Sequence, residues 1–165
     1  MCLIKEGELF WLLKDKTAYP LNDFPEVQPG VQFTLDHSST LDLGNGWMLQ
    51  AEQITNPMEG YSACRANTDP FHAWLDTKDI PLPLIVRSRM AGDRIRPFGM
   101  QGHSIKVSDL MVNFKLPKRA RLTWPVVCSG QDILWIPGYR QSNLAQVKPE
   151  SRLILHLFLV RLEPT

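Results

Sequence analysis

The sequence predicts an α+β fold dominated by short strands, and three observations carry that expectation. Thirteen prolines and ten glycines are scattered through 165 residues, a density that favours many short elements joined by tight turns over a helical bundle. Short apolar runs recur in pairs around turn signals, as in antiparallel hairpins. The stretch Ser104 to Phe114 carries Ile105, Val107, Leu110, Met111 and Phe114 at roughly helical spacing, which adds a short helix to the strands.

Taken in order, Leu3-Ile4 and Leu9 to Leu13 flank a Glu6-Gly7-Glu8 turn. Asn22 to Gly30, with two prolines, is a connector. Gln32 to Leu35 and Ser39 to Leu43 lead into Gly44-Asn45-Gly46, a strong turn signal, and Trp47 to Ile54 returns as a strand. Asn67 to Asp79 is expected to hold a short helix or turn around Phe71, Trp74 and Leu75. Pro81 and Pro83 mark a break, which divides the chain into a β-rich part, 1–80, and a second part, 81–165. Leu84-Ile85-Val86 enters that second part as a strand. In the helix that follows, Ser104 is the expected N-cap and Pro117 the stop. Pro125 to Cys128 and Ile133 to Ile136 form a hairpin about Ser129-Gly130-Gln131-Asp132. Arg152 to Leu162 closes the chain as a strand buried through Leu153, Leu155, Leu157 and Leu159.

Hydrophobic content of 44% and charged content of 21% are those of an ordinary globular chain, long enough for one buried domain or two small lobes. No run approaches the ~20 apolar residues that span a bilayer, and the first residues lack the basic-then-apolar pattern of a signal peptide. Cys2, Cys64 and Cys128 are odd in number and far apart, which supports neither a disulfide framework nor a zinc site and fits a reducing cytoplasm. His37, His72 and His156 have no metal-ligand spacing with one another or with a cysteine. No catalytic residue is assigned.

Net charge is only +1, yet it is unevenly spread. Residues 1–86 hold five Lys/Arg against twelve Asp/Glu. Residues 87–121 reverse this, with nine cations (Arg87, Arg89, Arg94, Arg96, Lys106, Lys115, Lys118, Arg119 and Arg121) against Asp93 and Asp109. So few acids cannot neutralise that segment locally, and arginine's planar fork suits phosphate. The asymmetry points to a polyanionic partner, with these nine residues as the contacts.

Within the segment, Gly92 is expected to take a positive φ that brings Arg94 to the surface. Asp93 is assigned to ordering the loop through a pair with Arg94 or Arg96, because a carboxylate facing phosphates would be repelled. Two readings stand for Gly99, Gly102 and Ser104: an anion site at a helix start, or an ordinary turn and cap. Trp124 and Trp135 lie in strand settings that favour core packing over base stacking, and Trp11, Trp47 and Trp74 read the same way.

The stretch Arg87-Ser-Arg-Met-Ala-Gly92-Asp93-Arg94-Ile-Arg-Pro97-Phe-Gly99-Met-Gln-Gly102 resembles the carboxy-terminal domain of the bacterial tRNA(Ile)-lysidine synthetases (the TilS family). The resemblance continues through Lys106-Val-Ser-Asp109, Pro117, Arg121 and Pro125 to Asp132-Ile-Leu-Trp135-Ile-Pro-Gly138, so it covers residues 84–140. Two departures are visible. Ile105 precedes a single Lys106 where the family often has adjacent lysines, after a loop one residue longer, and Asn113 occupies a commonly acidic position.

The resemblance implies a sandwich-like α+β fold shared with a domain of the phenylalanyl-tRNA synthetase β chain. It implies tRNA(Ile) as partner, held at its acceptor stem by residues 81–165. It also implies a reaction for the whole enzyme, in which ATP activates the wobble cytidine and lysine displaces AMP to give lysidine. That chemistry needs a phosphate-binding loop with a Ser-Gly-Gly pattern, and this sequence has none. The expectation is therefore a chain starting downstream of the catalytic domain, without activity of its own, with ATP and Mg2+ bound by that other domain. A free-standing RNA-binding module and a small editing-type hydrolase are the alternatives.

Overall fold

In the computed structural model, residues 1–6, 8–14 and 23–163 are described. The strands are β1 (Cys2–Glu6), β2 (Leu9–Leu13), β3 (Gln32–Leu35), β4 (Ser38–Asp42), β5 (Trp47–Gln53), β6 (His72–Asp76), β7 (Leu84–Ser88), β8 (Arg94–Ile95), β9 (Ile105–Lys106), β10 (Pro125–Ser129), β11 (Asp132–Ile136), β12 (Arg140–Gln141) and β13 (Ile154–Arg161). The helices are α1 (Pro57–Ala66) and α2 (Val107–Asn113), with a short 3-10 turn at Asn143–Ala145. Strands dominate and the helices are short, as the density of turn residues predicts.

Two antiparallel sheets face each other. One has the order β12-β11-β10-β7-β3 and the other β4-β5-β13-β6. Leu35, Leu84, Val86, Val127 and Leu134 from the first meet Leu49, Ala51, Leu75, Leu155, Leu157 and Leu159 from the second. This is the sandwich that the resemblance implies, and it follows from period-two alternation in strands such as β13. Leu155, Leu157 and Leu159 are buried there, whereas Leu153 lies outside the strand and is 46% exposed, a correction to the expected buried set.

The sheets are built from both sides of the Pro81–Pro83 break. β3 pairs with β7, and β13 lies between β5 and β6. The break at residue 80 is thus one of composition, and the core of residues 23–163 continues across it.

The hairpins expected at Gly44-Asn45-Gly46 and Ser129–Asp132 form as β4–β5 and β10–β11. At the first, Gly44, Asn45 and Gly46 all have positive φ, which glycine and asparagine tolerate best. β1 and β2 pair as expected, although Gly7 of their turn lies outside the described residues.

Of the short helix or turn expected within Asn67–Asp79, turns form at 70–71 and 78–79, but 72–76 between them is strand β6 and the helix precedes it as α1. Asn56 caps α1 by accepting from the Met58 N–H, and Pro57 takes the first turn. Only Gly60 of α1 is fully buried, so the helix lacks the apolar stripe that would have announced it.

The first sheet is covered on its other face as well. Ile85, Val126, Cys128, Ile133 and Ile136 on that face pack with Ile95, Val107, Leu110, Met111, Leu116, Ala120 and Trp124. The segment between β7 and β10 therefore forms a third layer. Ser88 and Pro125 are paired at its base, so the chain leaves the sheet and returns at one place.

Candidate nucleic-acid interface

The third layer is the basic segment, and its nine cations fall into three groups. Arg87 lies on β7 and is only 5% exposed. Its guanidinium donates to both Asp93 carboxylate oxygens, at 2.7 and 3.0 Å, and to the Ser88 carbonyl. The hydrogen bond to Asp93 raises its pKa further. The expected phosphate contact at Arg87 is corrected by this burial: the side chain is almost closed to solvent and orders the protein. Asp93 does hold the loop together, but its partner is Arg87 and not Arg94 or Arg96. It also accepts from the Met90 N–H at 2.7 Å and so caps the turn at Gly92, whose φ is +85°.

The second group is half-buried and fastened to the chain itself. Arg89 donates to the Arg121 carbonyl, and Arg121 donates to the Leu116 carbonyl. Arg119 lies over the Phe24 ring and 3.9 Å from the Asp23 carboxylate. These three pin the excursion down, with part of each head left at the surface.

Arg94, Arg96, Lys106, Lys115 and Lys118 form the third group, and all are exposed. Arg94 and Lys106 are directly opposite each other on β8 and β9. Like charges in that position repel unless an anion lies between or above them. Arg94 is held in place by donating to the Ser104 hydroxyl at 2.7 Å and to the Ser104 carbonyl at 2.8 Å. Arg94 and Arg96 line a cleft of about 430 Å³ with Asp93, Asp132, Ser104 and Gln131. At the far end of α2, Lys115 sits at φ +56°, a left-handed conformation better suited to glycine, and Lys118 follows in the next turn. The seven residues of α2 separate these two ends by ~10 Å.

Ser104 is not the helix cap. Residues 105–106 are drawn into β9, α2 begins at Val107, and Lys106 occupies the cap position without a side-chain bond. The Val107 N–H donates to the Asp93 carbonyl at 2.9 Å. Gly99 and Gly102 take φ of +77° and +81° in the preceding loop. Of the two readings for this loop, the structure favours the turn.

Trp124 and Trp135 are buried core residues at 3% and 1% exposure, as their strand settings predict, and the Trp124 indole donates to the Pro137 carbonyl. Trp74 is buried too, while Trp47 is half-buried against the core. The Trp11 side chain lies outside what the structure describes. Spacing gave no hint of one cross-strand contact: His72 Nδ1 and His156 Nε2 lie 2.9 Å apart on the outer face of the second sheet. Among the described residues no group of three or more His, Cys, Asp or Glu is placed to hold a metal. Nor is any helix there long and apolar enough to cross a membrane.

Residues 84–157 match the model of the TilS substrate C-terminal domain, which takes in the whole third layer and the strands that anchor it. Those residues belong to that family. Beyond them, a solved crystal structure of a TilS C-terminal domain superposes with a TM-score of 0.69 at 29% identity, over 81% of this chain and 98% of that one. The likeness in fold therefore extends beyond residues 84–157 to most of the chain. The tRNA(Ile)-lysidine synthase of Symbiobacterium thermophilum is 42% identical over 77 residues, covering 47% of this chain and 16% of that protein. That of Bacillus subtilis is 36% identical over 104 residues, or 62% and 20%. That of Geobacillus kaustophilus is 33% identical over 135 residues, or 81% and 28%. The chain thus spans less than a third of the length of these relatives.

The TilS-type region also holds a residue that charge counting missed. Arg140 lies outside the 87–121 segment, on the edge strand β12, yet it is exposed beside Phe114 at the C-terminal end of α2.

Proposed function

We propose that this chain is the tRNA-holding part of a tRNA(Ile)-lysidine synthase and supplies no chemistry itself. The observation that carries the reading is the row of exposed cations on the third layer, from Arg94 opposite Lys106 to Lys115 and Lys118. They sit at both ends of α2 on an excursion backed by the first sheet, where exposed cations can neutralise phosphates. In the whole enzyme, ATP and Mg2+ belong to the catalytic domain, which joins lysine to the wobble cytidine. This region grips the acceptor stem and presents the anticodon to that domain. The cleft beside these cations is lined by Arg94 and Arg96 together with Asp93 and Asp132, and the Asp93 carboxylate is already taken up by Arg87.

The test uses the purified chain with a tRNA(Ile) transcript, labelled lysine and ATP. The tRNA is expected to bind and to gain no label. ATP-dependent labelling would overturn the non-catalytic assignment, and absence of tRNA binding would overturn the RNA-holding one.

A further inference from the structure

We propose that Phe114 and Arg140 form a stacking site for one unpaired RNA nucleotide, set beside the phosphate-facing cations. The proposal rests on the RNA-holding reading above and adds what kind of nucleotide is held, and where.

Phe114 ends α2 and is 40% exposed as a residue, and the Arg140 guanidinium carbon lies 5.1 Å from its ring centroid. The ring is anchored from beneath. Phe114 packs against Tyr139 at 5.3 Å, and Tyr139 meets the edge of the buried Trp124 at 5.4 Å. A chain of three aromatic side chains thus runs from the core to the surface and fixes the outermost ring.

Cation–aromatic pairs are common on protein surfaces, and this chain has others, so the pairing alone decides nothing. The difference lies in what else each cation touches. Arg119 over Phe24 and Arg161 over Trp47 both lie 3.9 Å from the Asp23 carboxylate. Arg140 has neither a carboxylate nor a hydrogen bond at its guanidinium among the described residues. Its planar head is held over a fixed ring with its donors unused. Lys115 follows Phe114 directly in the chain, Lys118 comes three residues after that, and both are exposed.

An aromatic ring or a guanidinium plane binds a nucleotide by stacking on the face of its base. Inside a duplex those faces are covered by neighbouring pairs, so the occupant is an unpaired nucleotide. Lys115 and Lys118 then meet its flanking phosphates.

The experiment measures binding by fluorescence anisotropy with three RNAs: a blunt duplex, the same duplex with a single-stranded overhang, and that overhang made abasic. The abasic form keeps the phosphates and removes only the bases. The parent chain is expected to bind the intact overhang about 5- to 150-fold more tightly than the abasic one, the range given by stacking of a single base. Phe114→Leu and Arg140→Gln should lose that preference with unchanged melting temperature, and Phe114→Trp should keep it. A parent that binds all three RNAs alike, or variants that retain the preference, would overturn the stacking site and leave the RNA-holding reading intact. If the parent binds none of them, the RNA-holding reading falls and the stacking site falls with it.

Discussion

Arg87 and Arg96 carry the same charge in the same stretch of chain, and their surroundings give them opposite work. Arg87 is sealed against Asp93, whose carboxylate accepts both prongs of its fork, while Arg96 stands in solvent at the cleft. Removing one partner of a buried pair leaves the other charged and unsolvated, at a cost of about 3–5 kcal/mol. Asp93→Ala should therefore lower the unfolding free energy by about 3 kcal/mol and leave RNA affinity per folded molecule unchanged. Arg96→Ala should do the reverse, moving stability by less than about 0.5 kcal/mol and weakening RNA binding several-fold. Denaturant melts and binding isotherms on both variants separate the roles. If Asp93→Ala proves as stable as the parent, the buried pair is not what orders the loop.

At the scale of elements, the outer face of the second sheet carries the His72–His156 contact between β6 and β13, flanked by Trp74 and Phe158 in stacked or tilted contact. Burial, and then the charge of His72, holds the His156 pKa down at about 4. An unfolded chain protonates a histidine near 6.5, so between those values the unfolded state binds the extra proton. Stability therefore rises with pH across that window and is lost as pH falls from about 6.5 toward 4. The groups around the pair are Asp69, 3.8 Å from His72, and Glu52, the backbone partner of His156 on β5. Thermal melts between pH 5 and 6.5 should show this slope in the parent and a shallower one in His156→Gln. An equal slope in both would assign the effect to other groups.

The same scale shows what the sequence made legible. Hairpins were readable where a turn has only a few chemical solutions, as at Gly44-Asn45-Gly46, and β13 was readable from its alternating leucines. α1 was not, because only Gly60 is fully buried and no apolar period marks it; its one signal was the Asn56-Pro57 cap. Residues 105–106 are helical in spacing, yet their pairing with β8 makes them strand, a tertiary contact that no local pattern contains. The basic segment stood out by charge, but charge cannot tell Arg87 from Arg96. Arg140 stayed hidden because it reaches Phe114 through the sheet and not along the chain.

For the whole molecule, the two sheets are the backing and the excursion between β7 and β10 is the proposed RNA-holding surface. That arrangement makes a definite claim about electrostatics. Binding should be dominated by the exposed cations of the third layer, and the acidic first part of the chain should contribute nothing. A salt titration of tRNA binding for the parent, Lys118→Ala and Lys14→Ala tests this most directly. With about four to six phosphates contacted, log K should fall against log salt with a slope of roughly −3 to −5. Lys118→Ala should make the slope shallower by about one unit, and Lys14→Ala should leave it unchanged. A flat salt dependence, or equal effects from the two lysines, would contradict the assignment of the third layer as the RNA-holding face.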